Sequence, residues 1–203
     1  MAKLHHLGFP RIGNKRQLKF ALEKFWTGDI SEQDLQQTAT QLRSDNWNSQ
    51  QNLALELHTV GDFSLYDQVL DTSVLLGNLP MRALQSDNQL DNYFRVARGR
   101  SQKKSCCSAV HYHSGETDAG EMTKWFNTNY HYIVPEFDKQ TTFELNPENL
   151  LTQIKELQGI NKNVKPVIIG PVTYLWLGKE KDETNKLTLL PSLLETYTEL
   201  LQL

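Results

Sequence analysis

The 203-residue sequence predicts an α/β fold, in the form of a partial (β/α)8 TIM-type barrel that is incomplete in this chain. Three observations predict it. Short apolar or β-branched runs alternate with longer segments of helical period, the order expected when helices cross over between parallel strands. The run "VKPVIIG", which Gly170-Pro171 ends, is nearly continuous in apolar and β-branched residues, as a strand buried on both faces requires. Only three or four strands can be counted, whereas a closed eight-stranded barrel takes ~250 residues.

The elements follow in order. "LHHLGFP" reads as a short strand ended by Pro10 and Gly13, and a helix starts near Asn14, with Leu18, Leu22, Phe25 and Trp26 as its apolar stripe and Gly28 as its stop. Arg16 and Lys19 flank that stripe three residues apart. A second helix opens at Ser31, with Asp34 three residues on as a weaker form of the capping box and Leu35, Ala39 and Leu42 turned inward before it fades near Trp47. "LALELHTVGDF" supplies a strand up to Gly61-Asp62. A helix from Ser64 to Leu76 follows, stopped by "GNLP", and "LDNYFRVARGR" forms another with basic residues at its dipole-favoured end. Residues 101–120, rich in Ser, Gly and charge, read as an exposed insert. "ELNPENLLTQIKELQGI" is a helix with Pro147 at its first position and Gly159 as its stop. The closing segment "NKLTLLPSLLETYTELLQL" is helical.

Composition narrows the function classes. Lys+Arg 21 against Asp+Glu 24 gives a net charge of -3, so no global basic field draws the chain to nucleic acid or to a membrane. No apolar run is long enough to span a bilayer and no leader-like segment opens the chain, so a cytoplasmic location is expected. The two cysteines are adjacent, which is no disulfide framework. Cys106 and Cys107 with His111 and His113 suggest a metal cluster by residue type, yet adjacent cysteines chelate a tetrahedral ion poorly. The expectation is an exposed loop prone to adventitious metal binding or thiol oxidation. His5, His6, His58 and Asp62 lie near strand ends and are assigned no catalytic role.

The stretch "EMTKWFNTNYHYIVPEF", Glu121 to Phe137, concentrates aromatic, amide and cationic side chains without a helical or strand period. Such a mixture suggests a recognition surface. Taken with "LGFPRIG", "RQLK", "VGDFSLYDQVLDTS", "LLGNLP", "RGR" and "KPVIIGPVTYLWLGK", all in order along the chain, it resembles the cobalamin-independent methionine synthases. The resemblance implies methyl transfer from 5-methyltetrahydropteroyltriglutamate to homocysteine in methionine biosynthesis, by a longer protein of two similar barrels. This chain would be the first part of the N-terminal barrel. The zinc ligands and the homocysteine site would lie in the C-terminal barrel, absent here, so the chain alone is expected to be inactive; no cobalamin is implied. The folate oligoglutamate tail would be held by Arg16, Gln17, Leu18 and Lys19 together with Lys124.

The chemistry suits that role, because carboxylates call for charge-assisted donors and a helix N-terminus favours anions. Read without the resemblance, Arg16 and Lys19 are ordinary solvated charges, and Lys124 snorkels over packed aromatics. A rival reading is a truncated, non-enzymatic binding or interaction module that self-associates through exposed sheet edges and apolar surface.

Overall fold

The computed structural model describes residues 3–100 and 116–203. They divide into two compact units, one of residues 3–65 with 150–168 and the other of residues 66–100 with 116–149 and 169–203. Helices and short strands are mixed in both. The described strands pair into three two-stranded sheets, none of them closed.

In the first unit, α1 (Gln17–Thr27) packs on α2 (Glu32–Asn52). α1 ends at Gly28, whose φ of 83° suits a left-handed helix stop, and α2 begins with both hydrogen bonds of the Ser31–Asp34 capping box. β1 (His58–Val60) and β5 (Val164–Pro166) run parallel, with Thr59 opposite Lys165. Their core joins Trp47 of α2, Val60 and Leu157 of α5 (Glu148–Gln158), flanked by Ile154, Ile160 and Val164. Polar groups inside are met: Trp47 Nε1 donates to the Thr59 carbonyl at 2.9 Å, and Gln50 Oε1 accepts from Thr59 N at 3.0 Å. Arg43 forks onto Glu156 with two 2.8 Å hydrogen bonds, tying α2 to α5.

Several expectations need correction here. Residues 4–10 form no strand. The Leu4 carbonyl accepts from Glu56 N and Leu57 N, but beyond that point side chains take over. Thr59 Oγ1 and Lys165 Nζ both donate to the His6 carbonyl, and Asp62 Oδ2 accepts from Phe9 N at 2.7 Å. With side chains supplying the partners, no backbone ladder forms. α1 starts at Gln17 rather than near Asn14, because Gly13–Arg16 is a turn closed by Arg16 N donating to Gly13 O. The strand expected in "LALELHTVGDF" is three residues long. β5 is parallel as expected, but it is only partly buried and covers only the start of its apolar run.

In the second unit, α3 (Gln68–Leu75) is capped by Asp67, and α4 (Gln89–Arg98) by Asn88. α3 begins four residues later than Ser64 because Asp67 supplies the cap. β2 (Met122–Lys124) and β3 (His131–Ile133) form an antiparallel hairpin, and β4 (Glu136–Phe137) runs parallel to β6 (Lys179–Glu180). The seven-residue α6 (Pro171–Leu177) packs on α7 (Leu190–Leu200). Buried Tyr174 stacks edge-on against Phe137, and its hydroxyl meets Ser73 Oγ and Asn78 Nδ2 at 2.9 Å each. Inside α4, Arg95 is fully buried against Asp91 at 2.8 Å, and Arg100 reaches the other oxygen of the same carboxylate. Of the insert expected over residues 101–120, residues 101–115 lie outside the described residues. Thr117 is buried and exchanges both backbone hydrogen bonds with Arg100.

Candidate functional site

The segment leading into α1 is shaped by two left-handed residues. Gly13, at φ 81°, has no room for a Cβ, which would come within 2.3 Å of Gln17 Oε1 and 2.8 Å of Leu42 Cδ2. Arg16 takes φ 59°, ψ 33° as the N-cap of α1, a conformation that costs a non-glycine residue about 1–2 kcal/mol. Its side chain is exposed, as are those of Lys15, Gln17 and Lys19. No side chain caps the helix and its first turn carries no acid. Gln17 Oε1 accepts from Lys15 N at 2.9 Å, so this amide braces the turn. Leu18 is 0% exposed and donates its N–H to the Ile12 carbonyl at 3.2 Å; its side chain anchors the segment in the core. Lys19 lies 3.7 Å from Glu23, with both side chains about half exposed, and 5.9 Å from the Phe20 ring centre. Arg16 has no ion-pair partner among the described residues. The helix dipole and three exposed cations therefore present a positive surface where an anion meets few competitors.

Lys124 belongs to the other unit, at the last rung of β2 opposite His131, and both side chains are exposed. Beyond it, Trp125 N donates to Tyr130 O at 2.7 Å and Thr128 N to Trp125 O at 3.1 Å, which closes the loop. Phe126 sits there at φ 48°. Trp125 packs edge-on against Phe126 and Tyr132, and the Tyr132 hydroxyl donates to the Leu177 carbonyl at 3.0 Å. Burial pushes that phenol above its ordinary range. The aromatics of this stretch pack on one another, with Tyr132 buried and Phe126 exposed, and Lys124 has no carboxylate partner among the described residues.

A third group of polar residues gathers at the paired strands of the first unit. His58 is 1% exposed, and among the described residues neither its ring nitrogens nor the buried His6 Nε2 has a hydrogen-bond partner. Burial, then the neighbouring His6, holds the His58 imidazole below its ordinary range. Burial raises the Asp62 carboxyl, opposed by its hydrogen bond from Phe9. Lys165 Nζ meets His5 Nδ1 at 2.8 Å; nothing in the sequence around this lysine, set inside an apolar run, marks it out. The Cys106, Cys107, His111 and His113 group lies outside the described residues. Among the described residues no three or more His, Cys, Asp and Glu side chains are arranged to hold a metal ion, and no helix is long and apolar enough to cross a membrane.

These features define an α/β protein with cationic surface at one helix start and one hairpin. Comparison with known proteins then gives the family. The family described as cobalamin-independent synthase, N-terminal domain, matches residues 3–203. A 5-methyltetrahydropteroyltriglutamate–homocysteine methyltransferase of Saccharophagus degradans is 50% identical over 207 aligned residues, covering 99% of this chain and 26% of that protein. The chain belongs to the cobalamin-independent synthase family and corresponds to its N-terminal domain. It spans about a quarter of the length of the relative it matches.

Proposed function

We propose that these residues help to bind the oligoglutamate tail of 5-methyltetrahydropteroyltriglutamate, as the first part of an N-terminal (β/α)8 barrel in a longer cytoplasmic S-methyltransferase. The relative's name supplies the substrates. The observation that carries the reading is the start of α1: exposed Lys15, Arg16 and Lys19 around an uncapped helix N-terminus with no acid in its first turn. A tail of linked carboxylates needs such donors, with Arg16 able to grip one bidentately and Lys19 acting as a point charge. Lys124 is proposed as a further donor, Gln17 as a brace of the binding turn and Leu18 as its core anchor.

In the methyl transfer, the homocysteine thiol loses its proton and its sulfur bonds the methyl carbon. The electron pair of the breaking N5–C bond stays on the folate, which takes up a proton. No residue assigned here touches those atoms, so the chain by itself is proposed to be inactive. In the full protein, Arg16→Ala or Lys19→Ala is expected to raise the folate KM several-fold with kcat nearly unchanged. A fall in kcat at constant KM refutes a binding role.

One observation favours a second reading, that of a non-enzymatic module that self-associates. Val172 and Trp176, one turn apart on α6, are 63% and 71% exposed, and Leu187, Leu194 and Leu201 of the same unit are also open to solvent. Light scattering is expected to show dimers or larger species that Trp176→Ser diminishes. A monodisperse wild-type monomer refutes it.

A further inference from the structure

A hairpin with three residues in each strand does not hold its own shape in water. Lys124 nevertheless sits at the last rung of one, so its position depends on what the hairpin is fastened to. Two links run from it to the N-terminus of α3, within the same unit.

The first link is Asp67, 1% exposed. Its Oδ1 accepts from Val69 N and Leu70 N at 2.8 Å each, which caps α3. Its Oδ2 accepts from Ile133 N of β3 at 3.1 Å. A buried carboxylate is tolerated only when its lone pairs are met and its charge is offset. Here three N–H groups and the positive end of the helix do both. A cap alone needs one acceptor oxygen, which Ser, Thr or Asn supplies without burying a charge. The second oxygen is used on the hairpin. The second link is Tyr130, whose phenol oxygen accepts from Gln68 N at 3.1 Å. Both links converge on one helix start, and both grip the strand and loop that face Lys124 across the hairpin.

We propose that Asp67 is a positioning residue for Lys124: its two oxygens lock β3 to the start of α3 and so hold the lysine at its place on the binding surface. The proposal rests on the tail-binding function proposed for this chain. Asp67→Asn separates the two duties of the carboxylate. The amide oxygen still caps α3, while the amide NH2 takes the Oδ2 position and sets a donor against the Ile133 N–H.

The experiment measures pteroyltriglutamate binding to the full chain by calorimetry, for wild type, Asp67→Asn, Lys124→Ala, Arg16→Ala and the double variants. Asp67→Asn is expected to weaken binding about three- to tenfold, the scale of one charge-assisted contact. It should leave the amide-exchange protection of α3 intact while lowering that of Lys124 and Ile133. Adding Lys124→Ala to Asp67→Asn should cost little more, whereas adding Arg16→Ala should cost its full factor. A merely structural role predicts equal losses with either partner.

Full Lys124-dependent affinity in Asp67→Asn, or additive effects of Asp67→Asn and Lys124→Ala, overturns the positioning role alone. No binding by the wild type overturns tail binding and this proposal with it. Should Asp67→Asn not fold, Tyr130→Phe removes the second link from an exposed residue. It is expected to weaken binding about twofold with the same coupling to Lys124, and additivity there overturns the proposal equally.

Discussion

Arg16→Gly should make the chain more stable and worse at binding, and the opposite signs are the test. Arg16 holds φ 59°, ψ 33° at the N-cap of α1. A side chain there costs about 1–2 kcal/mol, and the extra freedom of glycine in the unfolded chain returns about 0.5–1 kcal/mol of that. The net gain is about 0.5–1 kcal/mol, or roughly 1–4 °C in Tm for a protein of this size. No hydrogen bond of the Arg16 side chain is lost in exchange, since the turn is closed by its backbone, through Arg16 N to Gly13 O and Phe20 N to Arg16 O. Ala54, also exposed and at φ 54°, is the control: Ala54→Gly should stabilise by a similar amount and leave pteroyltriglutamate binding untouched. Urea denaturation and calorimetric titration of the three proteins measure both quantities. If Arg16→Gly lowers stability while binding persists, the guanidinium serves the fold rather than an anion, and the reasoning fails.

Two further expectations concern the first unit. Glu156→Ala removes the carboxylate that accepts two of the Arg43 hydrogen bonds and leaves a guanidinium whose side chain is 8% exposed with its bond to Thr40 Oγ1 but no ion-pair partner; a loss of about 2–4 kcal/mol is expected in urea denaturation, with little change in binding. His58 is held below its ordinary 6.5 by burial and by His6, so the unfolded chain binds the proton more tightly than the folded one. Stability from this group is complete above pH 6.5 and falls as the pH drops below it, and His58→Gln should flatten that part of the stability profile.

How much of this was legible in the sequence depended on whether the controlling interaction is local. Ser31 and Asp34, Gly28 and Gly159 mark helix ends through contacts within a few residues, and the structure places those ends where their chemistry does; Pro147, expected at the first helical position, lies one residue ahead of α5. The pairing of Thr59 with Lys165 joins residues 106 positions apart, by the difference of their numbers, and no local pattern encodes it. The hairpin escaped detection because its burial does not alternate: Tyr132, Ile133, Val134 and Pro135 are buried in succession, while exposed Phe126 adjoins half-buried Trp125. Asp67 carried a usable signal, an Asp just ahead of an apolar run, but Ser64 offered an equally good cap three residues earlier. At the candidate site, exposure of Arg16 and Lys19 followed from their place on the flank of an apolar stripe. Leu18 was part of the same quoted motif and of the stripe itself, and its burial shows that a contiguous motif mixes surface and core duties.

Backbone strain separates these duties further. Among the described residues three non-glycine residues take positive φ: Arg16, Ala54 and Phe126. Ala54 lies in the turn that follows α2 and presents a methyl group to solvent, so strain by itself marks no site. Arg16 and Phe126 differ in what their strain accomplishes. At Arg16 the left-handed turn leads into a helix start without a side-chain cap, and the Arg16 side chain is exposed there. At Phe126 it belongs to the loop in which Trp125 N reaches Tyr130 O, just beyond the last rung at Lys124. Both strained residues are exposed, and at Arg16 glycine would take the same turn without the penalty.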